Sequence, residues 1–322
     1  MDMILAKPDG QEICVVDYDF DIDLGDTNDF QVTASYASWN PEIKIGDLIY
    51  IPGTEFGGVI KNISSATNTG NIYLKGYTWR GYLSKRVIRP PTGSDYYIAN
   101  GELNNIIRSL VTIPGFVVPT ISTGITVNYQ FNRYCSVLEG LETMLRTVGY
   151  RLDIQYVQTE TGGYVQVQAV KAGLHGESVE YSQDSMIDFN SEDNQMGVNH
   201  LICLGTGELK DRLVVDLYAD RAGNISQTKT ISGIDEIIEV FENTGAERET
   251  LIETGTNRLK ELLSSKSFTV NIKQTENELY IGDIVTGQDY ITGNKVTKPI
   301  INKIVKRTNG VISRSYKIEG EK

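Results

Sequence analysis

Ile45-Gly46-Asp47, leading into the apolar run Leu48-Ile49-Tyr50-Ile51, recurs near the other end of the chain as Ile281-Gly282-Asp283. Upstream of each copy, Phe30-x-Val32 matches Phe268-x-Val270. Downstream, Val59-Ile60-x-x-Ile63 matches Ile300-Ile301-x-x-Ile304, with five more intervening residues in the second copy, an insertion that a surface loop tolerates. Gly70 then meets Gly310, and Leu74-Lys75-Gly76 meets Ile318-Glu319-Gly320. One shared tripeptide is cheap in a β-rich chain, whereas five landmarks in one order indicate an internal repeat. In each copy Gly-Asp turns the chain, apolar alternation marks an inner face, and closure into a barrel would remove unpaired edges. The predicted fold class is β-rich α+β, with two related antiparallel β-barrel modules at the chain ends and inserted α/β domains between them.

The elements between the landmarks set the domain boundaries. Residues 1–91 read as the first β-barrel module, with strands around Phe30–Ala34, Leu48–Ile51, Val59–Ile63 and Ile72–Lys75, the last two joined through Asn68-Thr69-Gly70. Residues 92–231 form an inserted helical and β-hairpin region. Leu103, Ile106, Ile107 and Leu110 fall at helical spacing before Pro114-Gly115, and Ser136 with Glu139 makes a capping-box pattern ahead of Leu138, Leu141, Leu145 and Val148. From Tyr150 the period becomes two, and Thr161-Gly162-Gly163 joins the resulting strands as a hairpin. A second β-pair is predicted over His200–Leu204 and Arg212–Tyr218. Residues 232–266 are predicted helical from Ile234, Ile237, Ile238 and Phe241 and then from Leu251, Gly255, Leu259 and Leu262. Residues 267–322 form the second β-barrel module.

Composition narrows the functional class. The 322 residues are 40% hydrophobic and 22% charged, and no apolar run approaches the length of a spanning helix, so no stable membrane insertion is expected. Met1-Asp2-Met3-Ile4-Leu5-Ala6-Lys7-Pro8 lacks a secretory pattern, which predicts synthesis in a cytoplasm. The net charge of −12 argues against a chain built to grip phosphate backbones. Cys14, Cys135 and Cys203 are widely separated, in no metal or redox spacing.

Asp17-Tyr18-Asp19-Phe20-Asp21-Ile22-Asp23-Leu24-Gly25-Asp26 superficially matches a calcium loop, but its alternation is that of a strand. Carboxylates two residues apart along a strand stand roughly 7 Å from each other, too far to share one ion. This acidic ladder is expected to face either basic neighbours or a lumen through which DNA slides. Arg80, Lys85, Arg86 and Arg89, interleaved with Tyr77, Trp79 and Tyr82, favour a protein interface or solvated surface over nucleic acid, given the overall charge. His175 and His200 stand beside no nucleophile motif, and no hydrolase or metalloprotease signature occurs. No catalytic, cofactor-binding or metal residues are therefore assigned, and no specific nucleic-acid binding is expected. A glycosidase built from two distant carboxylates stays open, as does a glycan- or receptor-binding module, suggested by 18 tyrosines against 8 phenylalanines.

The run Leu74-Lys75-Gly76-Tyr77-Thr78-Trp79-Arg80-Gly81-Tyr82-Leu83-Ser84-Lys85-Arg86-Val87-Ile88-Arg89-Pro90-Pro91 resembles the strand, Gly, linker, Leu, Arg, Ile, Pro signature of siphophage tail hub proteins. The helix over Asn104–Val111, the one ending at Thr147-Val148-Gly149-Tyr150, and the stretch around Gly205-Thr206-Gly207 fit the same resemblance. It implies a homotrimer whose six barrels form a pseudo-hexameric ring at a phage tail tip or baseplate, adapting a six-fold tube to a three-fold tip. The implied partners are the distal tail ring protein, the tape measure protein and a tip fibre or spike. The implied location is the virion, of a phage or a tail-like particle. Many relatives carry a cell-wall hydrolase after the hub region; here the expectation is a structural role without enzyme activity.

Overall fold

A computed structural model describes residues 3–175, 187–194, 196–263, 265–272, 278–288 and 295–318. The chain divides into two compact units: unit 1 takes the residues up to Phe189 and those from Thr269 on, and unit 2 runs from Asn190 to Phe268.

Unit 1 opens with β1 (Met3–Ala6), β2 (Glu12–Val16), β3 (Asp19–Leu24), β4 (Asp29–Ser35), β5 (Leu48–Tyr50), β6 (Gly57–Val59), β7 (Asn62–Ala66) and β8 (Asn71–Tyr77). Alternation decides which side chains turn inward: along β3, Phe20, Ile22 and Leu24 are buried while Asp19, Asp21 and Asp23 face outward. Sheet order is β2-β1-β5-β6 in one sheet and β3-β4-β8-β7 within another. Two strands pass between the sheets, since β2 runs on into β3 across Asp17–Tyr18 and β6 into β7 across Ile60–Lys61. The continuous strand expected over Val59–Ile63 is thus bent at Ile60. Close approach at this bend depends on Gly76, where any side chain would collide with the Val59 carbonyl.

The expected all-β module also carries a short helix, α1 (Trp79–Ser84), capped by Thr78 Oγ1 accepting from Gly81 N at 3.2 Å. Next come β9 (Ile98–Glu102), α2 (Leu103–Leu110), β10 (Phe116–Val117), β11 (Thr126–Gln130), α3 (Val137–Arg146), β12 (Tyr150–Thr159) and β13 (Gly162–Lys171). Ser136 Oγ accepts from Glu139 N at 3.1 Å, so the capping pattern read in the sequence starts α3 where expected. Leu138, Leu141, Met144 and Leu145 then point into a core shared with α2, β12 and β13. β12 and β13 form the expected hairpin, with Tyr150 opposite Lys171 and Thr159 opposite Gly162. β14 (Leu174–His175) ends this stretch.

The chain enters unit 2 along β15 (Ile187–Asn194). Unit 2 itself contains β16 (His200–Leu204), β17 (Val214–Ala219), β18 (Ile225–Ser226), β19 (Ile238–Glu242) and α4 (Arg248–Leu262). β16 and β17 pair antiparallel as the sequence indicates. The helix predicted from Ile234, Ile237, Ile238 and Phe241 does not form. A single 3-10 turn at Gly233–Asp235 is followed by β19, which lies parallel to β16. The stretch is rich in β-branched residues, and burial alternates with period two along β19, so a waiting strand edge outcompetes a helix. α4 covers one face of this sheet through Leu251 and Leu259.

The chain returns along β20 (Ser265–Ile272), which pairs with β15, and ends with β21 (Ile284–Gln288), β22 (Lys295–Thr308) and β23 (Val311–Ile318). β22 pairs with β21, with β23 and with β3, so the strands near both chain ends join one eight-stranded sheet. The molecule is a β-rich α+β protein of several sheets and few helices. Among the described residues, no helix is long and apolar enough to cross a membrane.

Candidate functional site

The two Ile-Gly-Asp turns make the same set of contacts. Gly46 and Gly282 have φ of 104° and 92°, a left-handed region that glycine enters without strain. Asp47 Oδ2 accepts from Lys44 N at 2.7 Å, and Asp283 Oδ2 accepts from Tyr280 N at 3.1 Å. Gly46 N donates to Ile60 O and Ile60 N to Asp47 O, each at 2.8 Å; Gly282 N donates to Ile300 O and Ile300 N to Asp283 O, also at 2.8 Å. Leu48 lies opposite Val59 as Ile284 lies opposite Pro299. In these contacts the counterpart of Ile300 is Ile60, one residue on from the Val59 that the sequence alignment gave it.

The two turns differ in their surroundings. Ile45 is 64% exposed while Ile281 is 5% exposed. Asp283 also accepts from Gly173 N at 2.8 Å and meets His175 Nε2 at 3.2 Å and Arg151 Nε at 3.0 Å. Of the other matched positions, Phe30, Val32, Ile60 and Ile300 are buried; Val59, Ile63, Ile301 and Ile304 are half-buried. Phe268 and Val270 lie on β20. Gly320 lies outside the described residues.

The acidic strand β3 meets basic neighbours. Its ladder with β22 sets Leu24 opposite Lys303 and Phe20 opposite Arg307. Lys306 Nζ reaches Asp21 at 2.6 Å, Arg307 pairs with Asp17, and Asn302 Nδ2 donates to Asp23 Oδ2 at 3.1 Å. Asp19 Oδ2 accepts from Asn309 N at 3.1 Å. The other Asp23 oxygen accepts from Asp26 N, Thr27 N and Asn28 N, closing the turn into β4. These carboxylates therefore bind strands together. Over the outer face of this sheet lies a groove of about 590 Å³ lined by both Asp21, Asp23 and Asp29 and Lys61, Lys75 and Lys306.

The basic run divides instead of forming one patch. Arg80, 2% exposed, points inward and pairs with Glu55 at 2.9 Å and with Glu142. Trp79 is buried and stacks on Tyr156 with ring centroids 5.3 Å apart. Lys85, Arg86 and Arg89 stay at the surface, with Lys85 Nζ 5.2 Å from the centre of the Tyr77 ring. Three surface cations and one tyrosine do not make a stacking platform for single-stranded nucleic acid.

The sequence reading missed a buried charge cluster. Lys303 is 1% exposed, with Nζ 2.9 Å from Glu278 and about equally near the Phe56, Tyr280 and Tyr316 rings, at 4.9, 4.9 and 5.8 Å. Burial pushes its ammonium below the ordinary lysine range, against the opposing pull of Glu55 and Glu278. Arg151 stacks on the other partner of this group, Tyr280, at 4.4 Å. Lys303 stands among Ile300, Ile301, Ile304 and Val305, a setting that does not by itself say which side of the strand it faces. In unit 2, His200 is held between Asp216 and Glu236 at 2.8 and 2.7 Å. Neither histidine has a nucleophile among the partners found for it.

No protein family matches the sequence, and no curated protein matches it significantly. Solved structures match in shape. The 43 kDa tail protein of prophage MuSo2 from Shewanella oneidensis is 14% identical and superposes with a TM-score of 0.53, over 99% of this chain and 98% of its own. Prophage tail protein gp18 from Listeria monocytogenes EGD-e is 13% identical, TM-score 0.51, over 100% and 96%. A chain of the p2 virion baseplate in its activated conformation is 10% identical, TM-score 0.55, over 99% of both. The protein therefore has the fold of these tail and baseplate proteins.

Proposed function

We propose that this chain is a structural hub subunit of a phage tail tip or baseplate, or of a related tail-like particle. The observation that carries the reading is the end-to-end likeness to tail and baseplate proteins, which leaves almost no residue of this chain unmatched. In this reading residues 1–91 and 267–322 are two versions of one barrel module. Support comes from the matched turns at Gly46-Asp47 and Gly282-Asp283. It comes also from the circuit of ladders β1–β2, β3–β4, β4–β8, β8–β7, β6–β5 and β5–β1, which the bends at Asp17–Tyr18 and Ile60–Lys61 connect end to end.

Three copies then offer six similar modules, and a ring of six meets a six-fold tube on one face while keeping three-fold symmetry on the other. That function is mechanical, and its partners are the distal tail ring, the end of the tape measure and a tip fibre or spike. Light scattering coupled to size exclusion tests it: three chains of 35.8 kDa give a particle of about 107 kDa. A single 35.8 kDa species that persists at high protein concentration would count against the hub.

A further inference from the structure

We infer that the free edge of β7 is where a second copy of this chain docks, and that it receives β15 of that copy as an antiparallel strand. The inference rests on the trimeric hub reading and says which strands close the ring. One junction between the two strand sets is already formed inside the chain, where β3 and β22 pair antiparallel from Leu24–Lys303 to Phe20–Arg307. β22 from Asn302 on is the counterpart of β7, its earlier part answering to β6. Both follow the matched Gly-Asp contacts, through Ile300 and Ile60, and both enter a hairpin whose turn ends on a positive-φ glycine, Gly310 and Gly70. Asn302 also faces Lys317 as Asn62 faces Lys75.

β15 is likewise the counterpart of β3. β3 pairs with β4, which carries Phe30, and β15 pairs with β20, which carries Phe268; unit 2 occupies the connection that Gly25–Asn28 makes in the first set. Of the four strands, β3 and β22 have used each other. Among the described residues, β7 has a ladder only with β8, and β15 only with β20. Each copy therefore retains one unmatched edge of each kind, the condition for a head-to-tail contact that closes into a ring.

The composition of β7 agrees. Asn62-Ile63-Ser64-Ser65-Ala66 has no charge and no proline, whereas a strand edge meant to stay solvated is normally blunted by such residues. Its backbone N–H and C=O groups supply the contact, and the unpaired positions correspond to 303–306 of β22.

Hydrogen exchange on the assembled protein tests this directly, together with the variants Ser64→Pro and Ser65→Pro. Successive N–H groups of a strand point to opposite edges, so one of the two prolines removes a donor aimed at the free edge. That variant is expected to fall from about 107 kDa to the 35.8 kDa of one chain, and wild-type amides over Ile63–Ala66 to be protected throughout. A wild-type trimer with an edge of β7 that exchanges as fast as a surface loop, or with both proline variants still trimeric, would overturn the β7 docking and leave the hub intact. A wild-type monomer would overturn the hub and this contact together.

Discussion

Lys303 shows what a single residue decides here. An ammonium closed in by three aromatic rings and one partly solvated carboxylate is costly to desolvate, and the surrounding charge offsets that cost incompletely, as its lowered pKa indicates. Lys303→Met keeps the volume and removes the charge, and because Glu278 is one-third exposed and Glu55 keeps Arg80, it is expected at neutral pH to lie within about 1 kcal/mol of wild type. The sign with pH follows from linkage. Because the folded pKa lies below the unfolded value, the unfolded chain binds more protons in the window between them, and wild-type stability rises through it. The stability of Lys303→Met relative to wild type should therefore fall as pH rises toward the ordinary 10.5. Thermal melts of both proteins across that range check this, and a constant gap would contradict it. The residue was invisible as a site in the sequence because a lone lysine in an apolar run reads equally well as an outward face of a strand. Asp47 and Asp283, by contrast, were legible as turn residues from the glycine before each.

Among elements, the ladder between β3 and β22 is the contact that joins the beginning of the chain to its end. At its centre Ile22 faces Val305, both fully buried, with the buried Lys303 two residues along on the same side, while the outward face carries the Asp21–Lys306 pair. Asp21 and Lys306 are 46% and 52% exposed, so despite a short separation their coupling is expected at only about 0.2–1 kcal/mol, declining with salt. A double-mutant cycle with Asp21→Asn and Lys306→Gln, followed by denaturant unfolding at low and high salt, measures it; a salt-independent coupling above roughly 2 kcal/mol would mean the pair is shielded from water. The alternation of β3, the cap of α3 and the hairpin of β12 with β13 were readable because local periodicity matches the buried face. β19 was not, because apolar spacing at Ile234–Phe241 fits a helix as well as a strand and only the vacant edge of β16 chooses between them.

At the scale of the whole molecule, the cluster around Leu201, Cys203, Leu217 and Leu251 is made, among the described residues, of unit 2 residues alone. Replacing residues 195–264 by a four-residue turn like Gly25–Asn28 is therefore expected to leave unit 1 folded, since β15 and β20 already pair and would become a simple hairpin. Circular dichroism should retain a cooperative melt; loss of the transition would show that unit 1 depends on the insertion. The β-rich character, the capped start of α3 and the two Gly-Asp turns were readable from the letters alone, because these depend on spacing, a cap and positive φ within a few residues. Folding in three dimensions was needed to fix that Asp17–Asp23 would be clasped by Lys306 and Arg307, that Arg80 and Lys303 would turn inward, and which strand edges would be left open among the described residues. Those outcomes depend on pairings between residues from 25 to nearly three hundred positions apart, for which one chain of letters carries no register.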